Sequence, residues 1–276
     1  MVKIPDFAKT KHIELIEVAL EAGQAIMNVF NTDFEIINKS DNSPVTKADF
    51  AANDIISRYL KKTNIPIISE ENSVPLFDER KKWKEFWIID PLDGTKEFIR
   101  KGTDFTVNIA RVVDKTPIEA YIYAPAIETL YWAEEKIGAF KYTEKLGLQV
   151  LPISKPAQKK IVVSKSHYTD STKQFINLVN KHLPNIETVH IGSSLKFCIV
   201  AEGNAMLYPR IGSINEWDIA AGDAIVRASG AHTISINSKL ELIYNSHNLK
   251  TPDFVVGTDM ELSSKIVDLF RKAISF

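Results

Sequence analysis

The sequence predicts an α/β protein made of two halves, and three features of its apolar pattern carry this prediction. Near the amino terminus, apolar residues recur at three- and four-residue steps, which is typical of amphipathic helices. The middle of the chain holds consecutive strand-like runs joined by short turns, as in an antiparallel meander. From about Lys155 strands alternate with helices, which indicates a second half of α/β type.

Two helices are expected first. The earlier one covers about residues 8–30, and Asn31 and Thr32 are expected to end it. The later one should open at Thr46, whose hydroxyl can accept a hydrogen bond from a free amide of the first turn. Asp49 would then lie in that first turn, and the apolar residues of each helix fall on one face.

Strand-like runs rich in β-branched and aromatic residues follow these helices. They lie at Ile65–Ser69, Phe86–Asp90, Phe105–Val113, Ile118–Tyr123 and Leu130–Ala133. In the second half the alternating stretches are IVVS, residues 171–181, ETVHI, SLKFCIVAEG, AMLYP and WDIAAGDAIVRASG. The proline- and lysine-containing stretch QVLPISKPAQKK is the expected joint, which divides the chain into residues 1–155 and 156–276.

Composition excludes several classes of protein. The chain has 276 residues, with 34 Lys and Arg against 35 Asp and Glu, so the net charge of −1 argues against a protein that coats nucleic acid. Apolar residues make up 45 % of the chain, which is enough for a large core. Cys198 is the single cysteine, so metal chemistry should use oxygen ligands rather than a zinc cluster.

The amino-terminal segment also bears on where the protein acts. Glutamates interrupt its apolar residues at every turn, so it does not resemble a signal peptide. No run in the chain approaches the roughly 18 apolar residues that a membrane span needs. We therefore expect a soluble, cytoplasmic protein.

Carboxylates occur in four short segments where an apolar strand ends or a helix begins. These segments are PVTKAD with Asp49, SEE with Glu70 and Glu71, IIDPLDGT with Asp90 and Asp93, and EWD with Asp218. Side chains from the ends of different elements can converge on one site. Taken singly, each also has a simpler explanation, which is a helix cap, a solvated turn, an Asx-type turn or a helix-dipole contact, respectively.

The segment from Asp90 to Thr95 is the most informative of the four. Pro91 is expected to stop sheet pairing and to begin a turn that brings Asp90 and Asp93 together. Two carboxylates ~4 Å apart repel by roughly 4 kcal/mol at an effective dielectric constant of about 20, so the pair would need a cation. Oxygen ligands favour magnesium, calcium or manganese over zinc.

Thr95 is placed to begin a short helix just after this turn. The amides of Gly94 and Thr95 should then form an anion site that suits a phosphate group. Metal-binding carboxylates beside a phosphate site are the components of metal-assisted phosphate-ester hydrolysis.

The four acidic motifs, in this order and with these gaps, resemble the lithium-sensitive, magnesium-dependent inositol monophosphatase superfamily from about residue 10 onward. Within it, DGTKEF, FTVNIA, VSKSH, GSSLKFC and EWDIAAG resemble the 3'(2'),5'-bisphosphate nucleotidases, which remove the 3'-phosphate of 3'-phosphoadenosine 5'-phosphate. The resemblance implies a layered α-β-α-β-α sandwich of the inositol monophosphatase and fructose-bisphosphatase type, with the active site between the two halves.

The resemblance also implies roles for particular residues. Two or three magnesium ions would be held by Glu70, Asp90, the Leu92 carbonyl, Asp93 and Asp218, with Asp90 as the bridging ligand. Asp49 and Thr95 would draw a proton from the attacking water, while the amides of Gly94 and Thr95 hold the phosphate.

Substrate choice is expected to depend on the second half. Ser193 and Lys196 match the family's Ser-x-x-Lys pair, which faces the second phosphate. His167 and Arg210 match the remaining nucleotide contacts. Without the surrounding motifs, each would be an ordinary solvated or hydrogen-bonded side chain. Cys198 is expected to fill the core.

The resemblance therefore predicts release of AMP and phosphate from 3'-phosphoadenosine 5'-phosphate, the by-product of sulfate activation, with the phosphosulfate form as a second candidate substrate. Hydrolysis of inositol phosphates or fructose 1,6-bisphosphate is the alternative within the superfamily. A non-catalytic magnesium or nucleotide sensor is disfavoured because Asp49 and Thr95 are both present. We expect a small-molecule substrate, no nucleic-acid or membrane partner, and a monomer or homodimer.

Overall fold

Eight α-helices and fourteen strands make up the part of the chain that the computed structural model describes, which is residues 12–39, 43–152 and 159–274. The helices are α1 (Ile13–Phe30), α2 (Lys47–Leu60), α3 (Phe77–Arg80), α4 (Thr95–Ile99), α5 (Asp170–His182), α6 (Leu195–Ala201), α7 (Ala220–Ala228) and α8 (Met260–Ile274). Among these helices, none is both long and apolar enough to cross a bilayer.

The strands form one hairpin and two larger sheets. The hairpin and the first sheet comprise β1 (Ile36–Asn38), β2 (Pro44–Thr46), β3 (Ile67–Ser69), β4 (Glu85–Asp93), β5 (Thr106–Val113), β6 (Thr116–Ala124), β7 (Thr129–Glu134), β8 (Gly138–Thr143) and β9 (Gly147–Val150). The second sheet comprises β10 (Lys160–Ser164), β11 (Glu187–Ile191), β12 (Leu207–Arg210), β13 (His232–Ser235) and β14 (Phe254–Gly257).

Five layers result from the way these elements bury their apolar faces. Helices α1 and α2 pack on one face of the seven-stranded sheet, whose order is β3-β4-β5-β6-β7-β8-β9. Helices α6 and α7 lie between that sheet and the five-stranded sheet, whose order is β11-β10-β12-β14-β13. Helices α5 and α8 cover the outer face of the second sheet. The predicted α-β-α-β-α sandwich is confirmed.

The antiparallel meander predicted for the middle of the chain is also present. Strands β4 to β9 pair antiparallel with their neighbours in chain order, while β3 pairs parallel with β4. Short strands that the sequence did not predict extend both sheets at β8, β9, β13 and β14. The expected joint falls largely on residues 153–158, which lie outside the described residues, as does the boundary between residues 155 and 156.

The prediction that Pro91 stops sheet pairing is wrong. Strand β4 continues to Asp93, with Asp90 opposite Asn108 and Asp93 opposite Thr106. Between these two pairs β4 has one residue more than β5, so the chain forms a β-bulge. A bulge leaves a residue outside the ladder, where proline's missing N–H matters little, and it changes the direction of neighbouring side chains.

Candidate active site

A cleft of about 270 Å³ opens between the two sheets at the end of β4. Among the described residues, its lining includes eleven of the twelve predicted site residues, namely Glu70, Asp90, Leu92, Asp93, Gly94, Thr95, His167, Ser193, Lys196, Arg210 and Asp218. The twelfth, Asp49, lies behind Thr95 and accepts a hydrogen bond of 3.3 Å from its hydroxyl. The structure therefore brings all the predicted residues together.

Three carboxylates from three separate elements meet on one wall of this cleft. Glu70 follows β3, Asp90 lies in the bulge of β4, and Asp218 precedes α7 by two residues. Each offers an oxygen within 4.8 Å of the others. The Asx-type turn considered for Asp90 is present too, since its Oδ1 accepts a 3.0 Å hydrogen bond from the Leu92 amide.

Burial of this acidic wall makes its negative charge unfavourable. Burial, together with the other carboxylates, raises the pKa of Asp90 and of Asp218 well above the usual range. Burial also raises the pKa of Asp93 to about 6, although Lys196 opposes the shift. Carboxylates that repel one another in this way are suited to binding a cation.

The donor set fits a hard divalent cation. Carboxylate oxygens of Glu70, Asp90 and Asp218 are joined on the same wall by Asp93 and the Leu92 carbonyl. Oxygen donors of this kind prefer magnesium, calcium or manganese. The acidic cluster could therefore hold a metal ion.

Asp93 is held by a polar network that the sequence did not predict. Oδ2 of Asp93 accepts a hydrogen bond of 3.4 Å from the side-chain amide of Asn108. Oδ1 of Asn108 in turn accepts a hydrogen bond of 2.7 Å from the Ser194 hydroxyl. The Ser194 hydroxyl lies 2.9 Å from that of Thr106. An asparagine inside the apolar run FTVNIA was the available sequence signal, because a buried amide needs partners.

Asp49 forms the helix cap that was the simpler explanation for it, and it also lies within hydrogen-bond distance of Thr95. Its Oδ2 accepts hydrogen bonds of 2.8 Å from the backbone amide and from the hydroxyl of Thr46, which completes a capping box at the start of α2. Its Oδ1 faces Thr95, whose hydroxyl also lies 3.1 Å from the Leu92 carbonyl. Burial raises the pKa of Asp49 even though Thr46 opposes the shift.

Glu70 and Glu71 lie in a turn after β3, as the simpler explanation had it, but this turn is partly buried and ion-paired rather than solvated. The Lys39 ammonium lies 2.9 Å from Glu70 and 2.6 Å from Glu71. Burial raises the pKa of Glu71 to about 7, with Lys39 acting in the opposite direction. Lys39 was not among the predicted residues, because it is distant in the chain from both glutamates.

The opposite wall of the cleft is cationic and belongs to the second half. Strands β10, β11 and β12 are parallel, so their carboxyl ends share one edge of the sheet. His167 and Ser193 lie in the loops after β10 and β11, and Arg210 is the last residue of β12. The carboxyl ends of parallel strands are the usual place for ligand sites in such sheets.

Lys196 and Arg210 are both nearly inaccessible to solvent, at 6 % and 8 % exposure. The Lys196 ammonium donates to the Ser193 carbonyl and lies 5.4 Å from the centre of the Tyr208 ring. Burial lowers the pKa of Lys196 to about 8, with Asp93 opposing the shift. The Arg210 Nε is buried without a hydrogen-bond partner among the described residues.

His167 is neutral near pH 7 in this setting. Burial and then the charges of Arg210, Lys96 and Lys196 lower its pKa to about 4. A neutral imidazole can still donate one hydrogen bond to a ligand and accept another.

Other parts of the lining were not predicted. Lys96, Glu97, Ser166 and Lys250 face the same cleft. The Ser166 hydroxyl, in the second half, donates to the buried Glu97 carboxylate in the first half. Lys96, Glu97 and Ser166 lie in the motifs DGTKEF and VSKSH beside predicted site residues, whereas Lys250 is distant in the chain from every motif and reaches the cleft only through the fold.

The chain belongs to the inositol monophosphatase family, whose profile matches residues 9–275. A relative from Shigella flexneri, named 3'(2'),5'-bisphosphate nucleotidase CysQ, is 42% identical over 224 residues, or 79% of this chain and 88% of the relative. A protein of the same name from Haemophilus influenzae is 33% identical over 94% of this chain and 96% of the relative.

Solved structures agree with this assignment. The crystal structure of CysQ from Bacteroides thetaiotaomicron, described as a bacterial member of the inositol monophosphatase family, is 37% identical with a TM-score of 0.82. The match covers 90% of this chain and 97% of that one. An inositol monophosphatase from Thermotoga maritima shares the fold at 23% identity, with a TM-score of 0.78.

Proposed function

We propose that this protein is a magnesium-dependent 3'(2'),5'-bisphosphate nucleotidase that converts 3'-phosphoadenosine 5'-phosphate to AMP and phosphate. The observation that carries the proposal is the division of one cleft into an acidic wall and a cationic wall. The acidic wall suits a metal-assisted reaction at one phosphate, and the cationic wall suits a second phosphate. The CysQ relatives support the same substrate class.

Magnesium would be held by Glu70, Asp90, Asp93, Asp218 and the Leu92 carbonyl, with two or three ions in the site. When bound, it neutralises the phosphate oxygens, stabilises the leaving 3'-oxygen and makes the attacking water more acidic. The amides of Gly94 and Thr95 hold the phosphate in place.

Thr95 and Asp49 together remove a proton from the attacking water. The Thr95 hydroxyl accepts the water proton while it passes its own proton to Oδ1 of Asp49, 3.3 Å away. Burial raises the pKa of Asp49, which makes it a stronger base than an exposed aspartate. Oδ2 stays bonded to Thr46, so the carboxylate keeps its orientation during the transfer.

The second half selects the substrate. Lys196 and Arg210 attract the 5'-phosphate, and Ser193 and His167 supply hydrogen bonds to the nucleotide. Inositol 1-phosphate has no second phosphate to meet this wall, and fructose 1,6-bisphosphate has no base. A sensor that only binds the nucleotide would not need the Asp49–Thr95 pair.

Phosphate release from 3'-phosphoadenosine 5'-phosphate, inositol 1-phosphate and fructose 1,6-bisphosphate tests the proposal. Each is assayed with magnesium, with and without lithium, and with EDTA as the control. We expect the nucleotide to be preferred and lithium to inhibit. A preference for inositol 1-phosphate would overturn the substrate, and no release from any of the three would favour a sensor.

The same proposal includes a cellular role. Removal of the by-product of sulfate activation would take place in the cytoplasm, and 3'-phosphoadenosine 5'-phosphosulfate is a second candidate substrate. A mass-spectrometric measurement of both nucleotides in cells that lack the protein would test this role, with accumulation of 3'-phosphoadenosine 5'-phosphate as the expected result.

A further inference from the structure

Lys96 is a cation in the cleft that has no role so far. It is exposed, it lines the cleft, and its ammonium makes no hydrogen bond or ion pair with the described residues. The ammonium of a lysine moves on a flexible four-carbon stem, so it can reach only the region around its own backbone. The position of the backbone therefore decides where the charge can act.

The backbone of Lys96 is fixed by both of its neighbours. Thr95, on one side, is hydrogen-bonded to Asp49 and to the Leu92 carbonyl. Glu97, on the other, is only 6 % exposed and accepts the hydroxyl of Ser166 from the second half. The backbone of Lys96 is therefore held in place between the acidic wall and the cationic wall.

The charge of Lys96 acts on the cationic side of the cleft. Lys96 lines the same cleft as Arg210, Lys196 and His167, and the charges of these three cations lower the pKa of His167 while Glu97 opposes them. Three like charges in one cleft repel each other, and an anion among them would relieve the repulsion.

Charge balance indicates which anion this is. A phosphate monoester carries a charge of about −1.5 to −2 near pH 7. The Lys196 ammonium donates to the Ser193 carbonyl, and the negative charge of Asp93 acts on it by opposing the lowering of its pKa, so it does not serve the phosphate alone. Arg210 alone would leave about a third to a half of the phosphate charge without a partner.

We infer that Lys96 is a specificity-determining residue that binds the non-reacting 5'-phosphate of a nucleoside 3',5'-bisphosphate, together with Arg210 and Lys196. This inference rests on the proposed function and deepens it. It means that the residue next to Thr95 links the site of hydrolysis to the recognition of the second phosphate.

The test compares 3'-phosphoadenosine 5'-phosphate with 3'-AMP, which lacks only the 5'-phosphate. In Lys96→Met we expect KM for the bisphosphate to rise about tenfold, the effect of one lost charge-assisted contact. The KM for 3'-AMP and both kcat values should change less than about twofold. Lys96→Arg should keep most of the preference, because it keeps the charge.

Arg100→Met is the matched control. Arg100 ends the same helix, is exposed and does not line the cleft, so its loss removes one charge without touching the site. Calorimetry with AMP and with adenosine gives a second readout, since Lys96→Met should weaken binding of AMP alone.

The outcomes distinguish a failure of the proposed function from a failure of the role assigned to Lys96. A wild-type enzyme that shows no preference for the bisphosphate over 3'-AMP would overturn the proposed function and this inference with it. A wild-type preference that Lys96→Met retains would overturn this inference alone. An equal loss on both substrates would also overturn it, because Lys96 would then act on the reacting phosphate.

Discussion

Three carboxylates in or directly behind the cleft use one oxygen in a hydrogen bond that fixes the side chain, and their second oxygen is available for the proposed chemistry. Asp49 binds Thr46 through Oδ2 and faces Thr95 through Oδ1. Oδ1 of Asp90 accepts the Leu92 amide, and Oδ2 of Asp218 accepts the Asn215 amide at 3.1 Å. The structural and functional explanations of these residues are thus compatible, and each carboxylate is oriented before any ligand arrives.

Asp93→Asn should nearly abolish turnover. The substitution keeps the shape of the side chain and removes a negative charge from the acidic wall, so the metal site loses affinity. We expect kcat/KM to fall at least a thousandfold, about 4 kcal/mol of transition-state stabilisation. A magnesium titration of activity would measure the change, and full activity in this variant would refute the site assignment.

Thr95→Ala should slow the chemical step while magnesium binding persists. The variant loses the hydroxyl that bonds to Asp49, so proton transfer is impaired by roughly 10²–10³-fold in kcat. Thr95→Ser, which restores the hydroxyl, should recover most of the rate. Calorimetry with magnesium checks that the metal site is intact, and an unchanged kcat in Thr95→Ala would exclude the proposed proton path.

Among the elements, long periodic segments were predictable and short apolar ones were not. The apolar period identified α1, and Thr46 marked the start of α2, because these signals repeat over several turns or act locally. Strands of four residues such as β13 and β14 lack a period long enough to detect. The bulge at Pro91 could not be predicted either, since it depends on how β4 pairs with β5.

Close contact between α6 and α7 gives a stability prediction at this scale. A Cβ added to Gly222 would lie 2.4 Å from Cγ of Phe197, so Gly222→Ala must displace that ring. Overpacking of this kind destabilises by about 1–3 kcal/mol. Urea unfolding would measure the loss.

A second substitution, at Phe197, tests whether the clash with this ring causes the loss of stability. Phe197→Leu, combined with Gly222→Ala, should relieve part of the clash, so the double variant should be more stable than the sum of the two single effects predicts. Strict additivity would show that the close approach does not limit stability.

For the whole molecule, a net charge of −1 is an average over two opposed walls. The acidic wall contains Asp90 and Asp218, and the cationic wall contains Lys196 and Arg210. These residues could be predicted because they lie in short motifs that occur in a characteristic order along the chain. The pairing of Lys39 with Glu70 and of Asn108 with Asp93 could not be predicted, because it depends on how distant segments pack and on the register between β4 and β5.

Magnesium should stabilise the folded protein. The metal relieves repulsion within a buried acidic wall, and a ligand at one hundred times its Kd adds ~2.7 kcal/mol. We expect the Tm to rise by roughly 5 °C between EDTA and saturating magnesium, measured by calorimetry.

Substitutions of single aspartates show whether the magnesium-dependent rise in Tm comes from the acidic wall. Asp218→Asn should raise the Tm of the metal-free protein, because it removes a repelling charge, and should lose most of the magnesium-dependent rise. Asp170→Asn alters an exposed aspartate paired with Lys173 and should leave that rise unchanged. A full magnesium-dependent rise in Asp218→Asn would argue against Asp218 as a ligand.

The position of the phosphate that is released shows which wall of the cleft carries out the hydrolysis. The enzyme is incubated with 3'-phosphoadenosine 5'-phosphate and magnesium, and the products are followed by phosphorus NMR. If the acidic wall hydrolyses the 3'-phosphate while the cationic wall holds the 5'-phosphate, AMP and phosphate form in equal amounts. Formation of 3'-AMP, or no release of phosphate, would contradict the account.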